Sequence, residues 1–168
     1  YLNLLLSCGF DYLDFGSFVS AKAISQLKDT AEVLAQLNPS DTKLLAIIPN
    51  DRGAQEASSD ERISVLGYPF SISETFQKRN TNHSLDASMK LMEEGSKICE
   101  QNKKQLRVYL SMGFGNPYGD PWSEDLLCAW VDRLNTHFLV HDFALSDTIA
   151  VATTAQCSTL FQTLFKHF

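Results

Sequence analysis

The chain is 168 residues long, 18.8 kDa, and its 14 basic against 20 acidic side chains leave a net charge of −6. That length fits one domain, and 44% hydrophobic residues suffice for a packed core, while a pI near 5.1 leaves no basic face of the kind nucleic acid requires. The longest apolar runs, such as Leu44-Leu-Ala-Ile-Ile48, are far too short to span a bilayer. The opening Tyr1-Leu-Asn-Leu-Leu-Leu lacks the basic flank of a signal peptide, so a soluble globular chain is expected.

In chain order, residues 2–7 read as the tail of a helix and 11–16 as a short strand. Ile24, Leu27, Ala31, Leu34 and Ala35 fall on one helical stripe, predicting a helix over 24–37 that Asn38-Pro39 ends. The continuous apolar run at 43–48 predicts a strand buried on both faces, closed by Pro49-Asn50. A weakly helical stretch at 53–60, a strand at 62–66 and one or two helical turns at 71–77 follow. Ser84 is placed to cap a helix running to 101, with Leu85, Met89, Met92 and Ile98 broadly on one side. Residues 105–112 form a strand pattern that runs into 113–121, a loop with three glycines and two prolines. Such a connection carries function more often than packing. Ser123 caps a helix to about 135, its inner face holding Leu126, Leu127, Trp130, Val131 and Leu134. A fifth strand is expected at 138–145 and a last helix from Thr153 to the end.

Strand–helix alternation in units of about 30 residues predicts an α/β fold with a parallel sheet covered by helices. An open doubly wound sheet and part of an eight-stranded barrel both satisfy the pattern, because a complete barrel needs about 250 residues. No Gly-x-Gly-x-x-Gly follows the first strand and no Gly-Lys-Ser/Thr is present, which removes the usual motifs of nucleotide-binding open sheets. In either architecture ligands bind beyond the carboxyl ends of the strands. The polar residues expected there are Asp14 and Ser17, then Asn50, the segment 67–70, Tyr109 and Ser111, and finally Asp147 and Thr148. Two carboxylates, a phenol and small polar groups suit a polar substrate or a hydrated metal, unless Asp14 and Asp147 merely cap the turns that follow them. His137 and His141 are four apart, but placed in or just before a strand they would lie roughly 13 Å apart, too far to share a metal. Cys8, Cys99, Cys128 and Cys157 lack zinc-knuckle spacing and read as reduced thiols on helix faces.

The strand-end segments resemble those of the 3-hydroxy-3-methylglutaryl-CoA lyase family. Ser17-Phe-Val-Ser-Ala-Lys22, Pro49-Asn-Asp-Arg-Gly53, Ser73-Glu-Thr-Phe-Gln-Lys-Arg-Asn80, Arg107-Val-Tyr-Leu-Ser111 and Leu145-Ser-Asp-Thr-Ile149 occur in family order and cover nearly the whole chain. The resemblance implies a TIM (β/α)8 barrel, with residues 1–168 as a single domain supplying strands two to six and lacking the first strand and the last two. It also implies metal-assisted retro-Claisen cleavage of hydroxymethylglutaryl-CoA to acetyl-CoA and acetoacetate. A related condensing enzyme of the alkylmalate or homocitrate synthase type and a non-catalytic α/β binding domain are the alternatives.

By position, the resemblance implies catalytic roles for Asp14, Tyr109 and Asp147, with Asp147 handling protons, and substrate-binding roles for Ser17, Asn50, Asn80 and Thr148. Asp14 stands where the family has a glutamate, and Ala144 and Ser146 stand where it has serine and glycine, which points to a divergent lyase or one with an altered substrate. The implied cofactor is a divalent ion, magnesium or manganese. Its ligands are expected in the strands that are missing, since no Arg-Asp opening and no His-x-His is present, and none of the four cysteines matches the family's catalytic cysteine loop. These 168 residues alone are therefore expected to be inactive. The implied partners are an acyl-CoA substrate and, at most, a second copy in a homodimer, without nucleic acid or membrane. The compartment would be bacterial cytoplasm or mitochondrial matrix.

Overall fold

A computed structural model of the chain describes every residue except Leu139. Its strands form one five-stranded sheet in the order β1-β2-β3-β4-β5, comprising β1 (Tyr12–Ser17), β2 (Lys43–Ile47), β3 (Ile63–Ser71), β4 (Gln105–Ser111) and β5 (Asp142–Leu145). The helices are α1 (Leu2–Leu6), α2 (Thr30–Ala35), α3 (Asp51–Ser58), α4 (Glu74–Thr81), α5 (Leu85–Gln101), α6 (Glu124–Phe138) and α7 (Thr154–His167). The residues group into two compact units, Tyr1–Pro69 with Lys90–Arg107 and Phe70–Met89 with Val108–Phe168.

In the first unit β1 pairs parallel with β2, and β2 parallel with β3. Parallel pairing buries both faces, which is why β2 carries Leu44, Leu45 and Ala46 in a row, the last two fully buried. Leu13, Phe15, Ile48, Ala54, Ala57, Ile63, Val65 and Leu66 belong to the same core. The β1–β2 register slips between Asp14 and Gly16, a bulge near the end of β1.

The single helix expected over 24–37 is divided into a 3-10 turn at Ser25–Leu27 and the short α2. Thr30 is the cause: its buried hydroxyl lies 2.8 Å from the Leu27 carbonyl and 2.9 Å from that of Ser17, a side-chain-to-backbone bond that competes with continuous helix. β3 is longer than expected, so Gly67, Tyr68, Pro69 and Phe70 are strand rather than loop. Glycine and proline there read as a turn, but the Ile48 N–H donates to the Gly67 carbonyl at 2.8 Å, and Tyr68 and Phe70 are buried.

In the second unit the Phe70 and Trp130 rings pack at 5.2 Å between centroids, and α6 buries Leu127, Val131 and Leu134, as its periodicity predicts. Ser84 and Ser123 do cap α5 and α6, accepting from Ala87 N–H (3.1 Å) and Leu126 N–H (3.0 Å). Thr153 and Gln156 form a reciprocal capping box at the start of α7.

The fifth strand differs from expectation. α6 continues to Phe138 and β5 begins only at Asp142, with Leu139 outside the described residues. The Asn135 amide donates to the Val140 carbonyl at 3.0 Å and lies 3.0 Å from His141 Nδ1, local bonds that shape this connection before β5. His137 accordingly sits in the last turn of a helix, not in a strand, with Nδ1 3.0 Å from the Arg133 carbonyl.

Candidate active site

Three of the proposed site residues lie in the first unit. Asp14 occupies an exposed position on β1, next to the bulge. Ser17 ends the strand and is buried, its hydroxyl 3.3 Å from the Ile47 carbonyl and its backbone tied to Thr30. Asn50 is the N-cap of α3, its side-chain oxygen accepting from Gly53 N–H at 3.0 Å. The Ser17 and Asn50 segments are brought together, because a Cβ built on Gly53 would lie 2.8 Å from the Phe18 carbonyl oxygen and 3.3 Å from Pro49 Cδ. The Pro-Asn-x-x-Gly turn is thus a cap and a close backbone approach in one.

The other four lie in the second unit. Asn80 is exposed in α4, and Tyr109 is half-buried on β4. Both Asp147 and Thr148 follow β5 and are exposed. The Asp147 carboxylate accepts from Val151 N–H at 2.9 Å and Ala152 N–H at 3.0 Å, so it does shape the turn that follows it. The Thr148 hydroxyl accepts from Met112 N–H at 2.8 Å, which joins this segment to the end of β4. The same junction carries Gly113 N–H to the Ser146 carbonyl (3.2 Å) and Ser146 N–H to the Leu110 carbonyl (3.0 Å).

Sequence reasoning marks residues 113–121 as functional but misses what orders them. Asp120 accepts from the Ser73 hydroxyl, from Thr75 N–H at 2.8 Å and from the Thr75 hydroxyl at 2.9 Å, latching the loop onto the first turn of α4. Asn116 accepts from the N–H groups of Tyr118 (3.0 Å) and Asp120 (3.1 Å) and donates to the Asp120 carbonyl (2.9 Å). The Arg79 guanidinium lies 4.8 Å from the Tyr118 ring centroid, a second tie between loop and helix. The usable signal was the pair of polar residues spaced four apart within a glycine- and proline-rich loop, which favours side-chain-to-backbone turns.

The Ser73 hydroxyl, followed by the Thr75 N–H, holds the Asp120 carboxyl below its ordinary value. A depressed folded-state value stabilises the protein above the ordinary aspartate pKa of about 3.9, and that contribution is lost as pH falls through the folded value. Asp120→Asn is therefore expected to lower stability by about 1–2 kcal/mol at neutral pH. The gap to wild type should narrow below about pH 4, read from denaturant midpoints across pH. A gap that stays constant down to pH 3 would count against the latch.

Burial pushes the Cys99 thiol up to about 12, so it is inert at neutral pH, and the Cys128 thiol is also raised, first by burial and then by Asp125 and Glu124. All four cysteines are free thiols. Among the described residues no three His, Cys, Asp or Glu side chains cluster as a metal site requires. The described residues alone therefore do not supply the donor set of a divalent ion. Among the described residues, no helix is long and apolar enough to cross a membrane.

No family model matches the chain. It is 29% identical to the hydroxymethylglutaryl-CoA lyase YngG of Bacillus subtilis over 100% of this chain and 56% of that protein. It is 32% identical to the 3-hydroxy-3-isohexenylglutaryl-CoA/hydroxymethylglutaryl-CoA lyase of Pseudomonas aeruginosa over 89% of this chain and 49% of that protein. Other relatives of this name are designated cytoplasmic or mitochondrial. Among solved structures, an HMG-CoA lyase from Acinetobacter baumannii, in complex with coenzyme A and 3-methylmalate, matches with a TM-score of 0.91 and 27% identity. That match covers 99% of this chain and 54% of the other. The chain spans about half the length of the curated relatives it matches. Along its whole length the chain is homologous to the hydroxymethylglutaryl-CoA lyases, and its α/β fold is that of a portion of their TIM barrel.

Proposed function

We propose that these residues are strands two to six of one barrel domain in a longer enzyme that cleaves hydroxymethylglutaryl-CoA to acetyl-CoA and acetoacetate. The observation that carries this reading is the likeness, over the entire chain, to enzymes named for that cleavage. The ligand would be an acyl-CoA, as the coenzyme A in the Acinetobacter neighbour suggests. The compartment in this reading is the bacterial cytoplasm or the mitochondrial matrix, in keeping with relatives that include bacterial proteins and others designated cytoplasmic or mitochondrial.

In this reading Asp147 takes the proton of the substrate's tertiary hydroxyl. The oxygen's electron pair then forms the acetoacetate carbonyl as the carbon–carbon bond breaks, its pair leaves as the acetyl-CoA enolate, and protonation of that enolate gives acetyl-CoA. Two bonds from backbone N–H groups fix the orientation of the Asp147 carboxylate. Tyr109 on β4 and Asp14 at the bulge of β1 are the further residues to which the family resemblance gives a catalytic role. Ser17, Asn50 and Asn80 are the remaining polar groups on the substrate side. A magnesium or manganese ion would supply Lewis-acid acidification of the hydroxyl, held by residues outside these 168.

A substrate panel on the full-length polypeptide with magnesium tests this. Release of acetoacetate from hydroxymethylglutaryl-CoA is expected. Free thiol released from acetyl-CoA plus a 2-oxo acid, without acetoacetate formation, would instead establish a condensing enzyme. No turnover of either substrate would leave a binding domain and overturn the lyase reading.

A further inference from the structure

Met112 is buried, 1% exposed, and its backbone is left-handed at φ 60°. An unbranched L side chain rarely adopts that region, and a residue held there is over-determined by its surroundings. The neighbours supply the determination. Gly113, next in the chain, is tied by its N–H to the Ser146 carbonyl at 3.2 Å, and its backbone passes so close to the Leu110 carbonyl that an added Cβ would lie 3.1 Å from it. Gly115 N–H closes on the Met112 carbonyl at 3.3 Å. On the other side of β4, the Ser111 carbonyl receives Ile72 N–H at 3.4 Å and the Ser71 hydroxyl at 3.2 Å.

The Met112 N–H itself is taken by a side chain, the Thr148 hydroxyl at 2.8 Å. That hydroxyl's own hydrogen points to the Ser146 carbonyl at 3.4 Å. One hydroxyl therefore spans the end of β4 and the turn after β5, accepting from the first and donating to the second. Asp147 is the adjacent residue on that turn, and Tyr109 lies three residues before Met112 on the strand.

We propose that Thr148 is a positioning residue rather than a substrate ligand: its hydroxyl holds Met112 in the left-handed conformation and so fixes the end of β4 against the turn that carries Asp147. The catalytic part of the proposal rests on the lyase reading, but the structural part does not. With Thr148 removed, the strain at Met112 is released by rotation of its backbone, and the β4 end drifts from the Asp147 turn. A substrate contact at Thr148 would act on affinity, whereas displacement of a reacting group acts on turnover.

The test compares Thr148→Val, which keeps the shape and loses the hydroxyl, with Thr148→Ser, which keeps the hydroxyl. Both are made in the full-length polypeptide. Hydrogen exchange at the Met112 amide is expected to speed up at least about tenfold in the valine variant and to stay at the wild-type rate in the serine variant. With hydroxymethylglutaryl-CoA and magnesium, kcat is expected to fall about tenfold in the valine variant, with KM within about twofold, and to recover with serine. Unchanged exchange in the valine variant overturns the proposal, as does a raised KM at unchanged kcat. If wild type itself turns over no hydroxymethylglutaryl-CoA, the lyase reading fails, and the exchange comparison still decides whether Thr148 holds Met112.

Discussion

Asp147→Asn in the full-length polypeptide is expected to lower kcat for hydroxymethylglutaryl-CoA cleavage by about 10²–10³-fold while leaving the fold intact. The carboxylate is exposed, and its bonds within this unit run to Val151 and Ala152 N–H, both in the turn before α7. Asparagine keeps one carbonyl oxygen to accept from that turn and loses the charge, so the stability cost is about 1 kcal/mol and thermal unfolding shifts by only a few degrees. Alanine would lose both acceptors and mix a loosened turn with a lost base, which makes asparagine the cleaner variant. Turnover near wild type would remove Asp147 from the chemistry and return it to the role of a turn cap.

The second large effect is on stability. Gly53→Ala is expected to cost about 2–3 kcal/mol, read as a lower denaturant midpoint. The added methyl would sit 2.8 Å from a backbone oxygen, that of Phe18, which cannot swing aside as a side-chain tip can. α3 would have to lift away from the end of β1, taking the Asn50 cap with it. Asn50→Ala is the comparison: it removes only the cap and should cost about 1 kcal/mol. Equal losses for the two variants would mean that the close approach at Gly53 is not what constrains this turn.

Much of the fold is legible in the sequence where burial dictates pattern. The run at Leu44, Leu45 and Ala46 reads as a doubly covered parallel strand and is one, and the stripe Leu127, Val131 and Leu134 does face inward in α6. Legibility fails where one side chain overrides local propensity. Thr30 starts a new helix inside a continuous apolar stripe, Tyr68 and Phe70 keep a Gly-Tyr-Pro-Phe segment extended, and α6 still holds Phe138, where the strand was expected to start. At the candidate site the residue types were visible but their bonds were not. Asn50 reads as a polar group near substrate and serves as a helix cap; Thr148 reads the same way and grips a strained backbone. Asp120 passed unnoticed because its partners, Ser73 and Thr75, lie more than 40 residues away. Long-range pairing of that kind leaves no local spacing to read.

On the function proposed above, these 168 residues are part of a longer lyase whose metal ligands lie elsewhere in the polypeptide. Intact mass spectrometry of the native protein tests it most directly. The relatives' lengths lead us to expect a mass nearly twice the 18.8 kDa of this chain. A native mass of 18.8 kDa would contradict the claim, because no donor set for the required ion is found among the described residues.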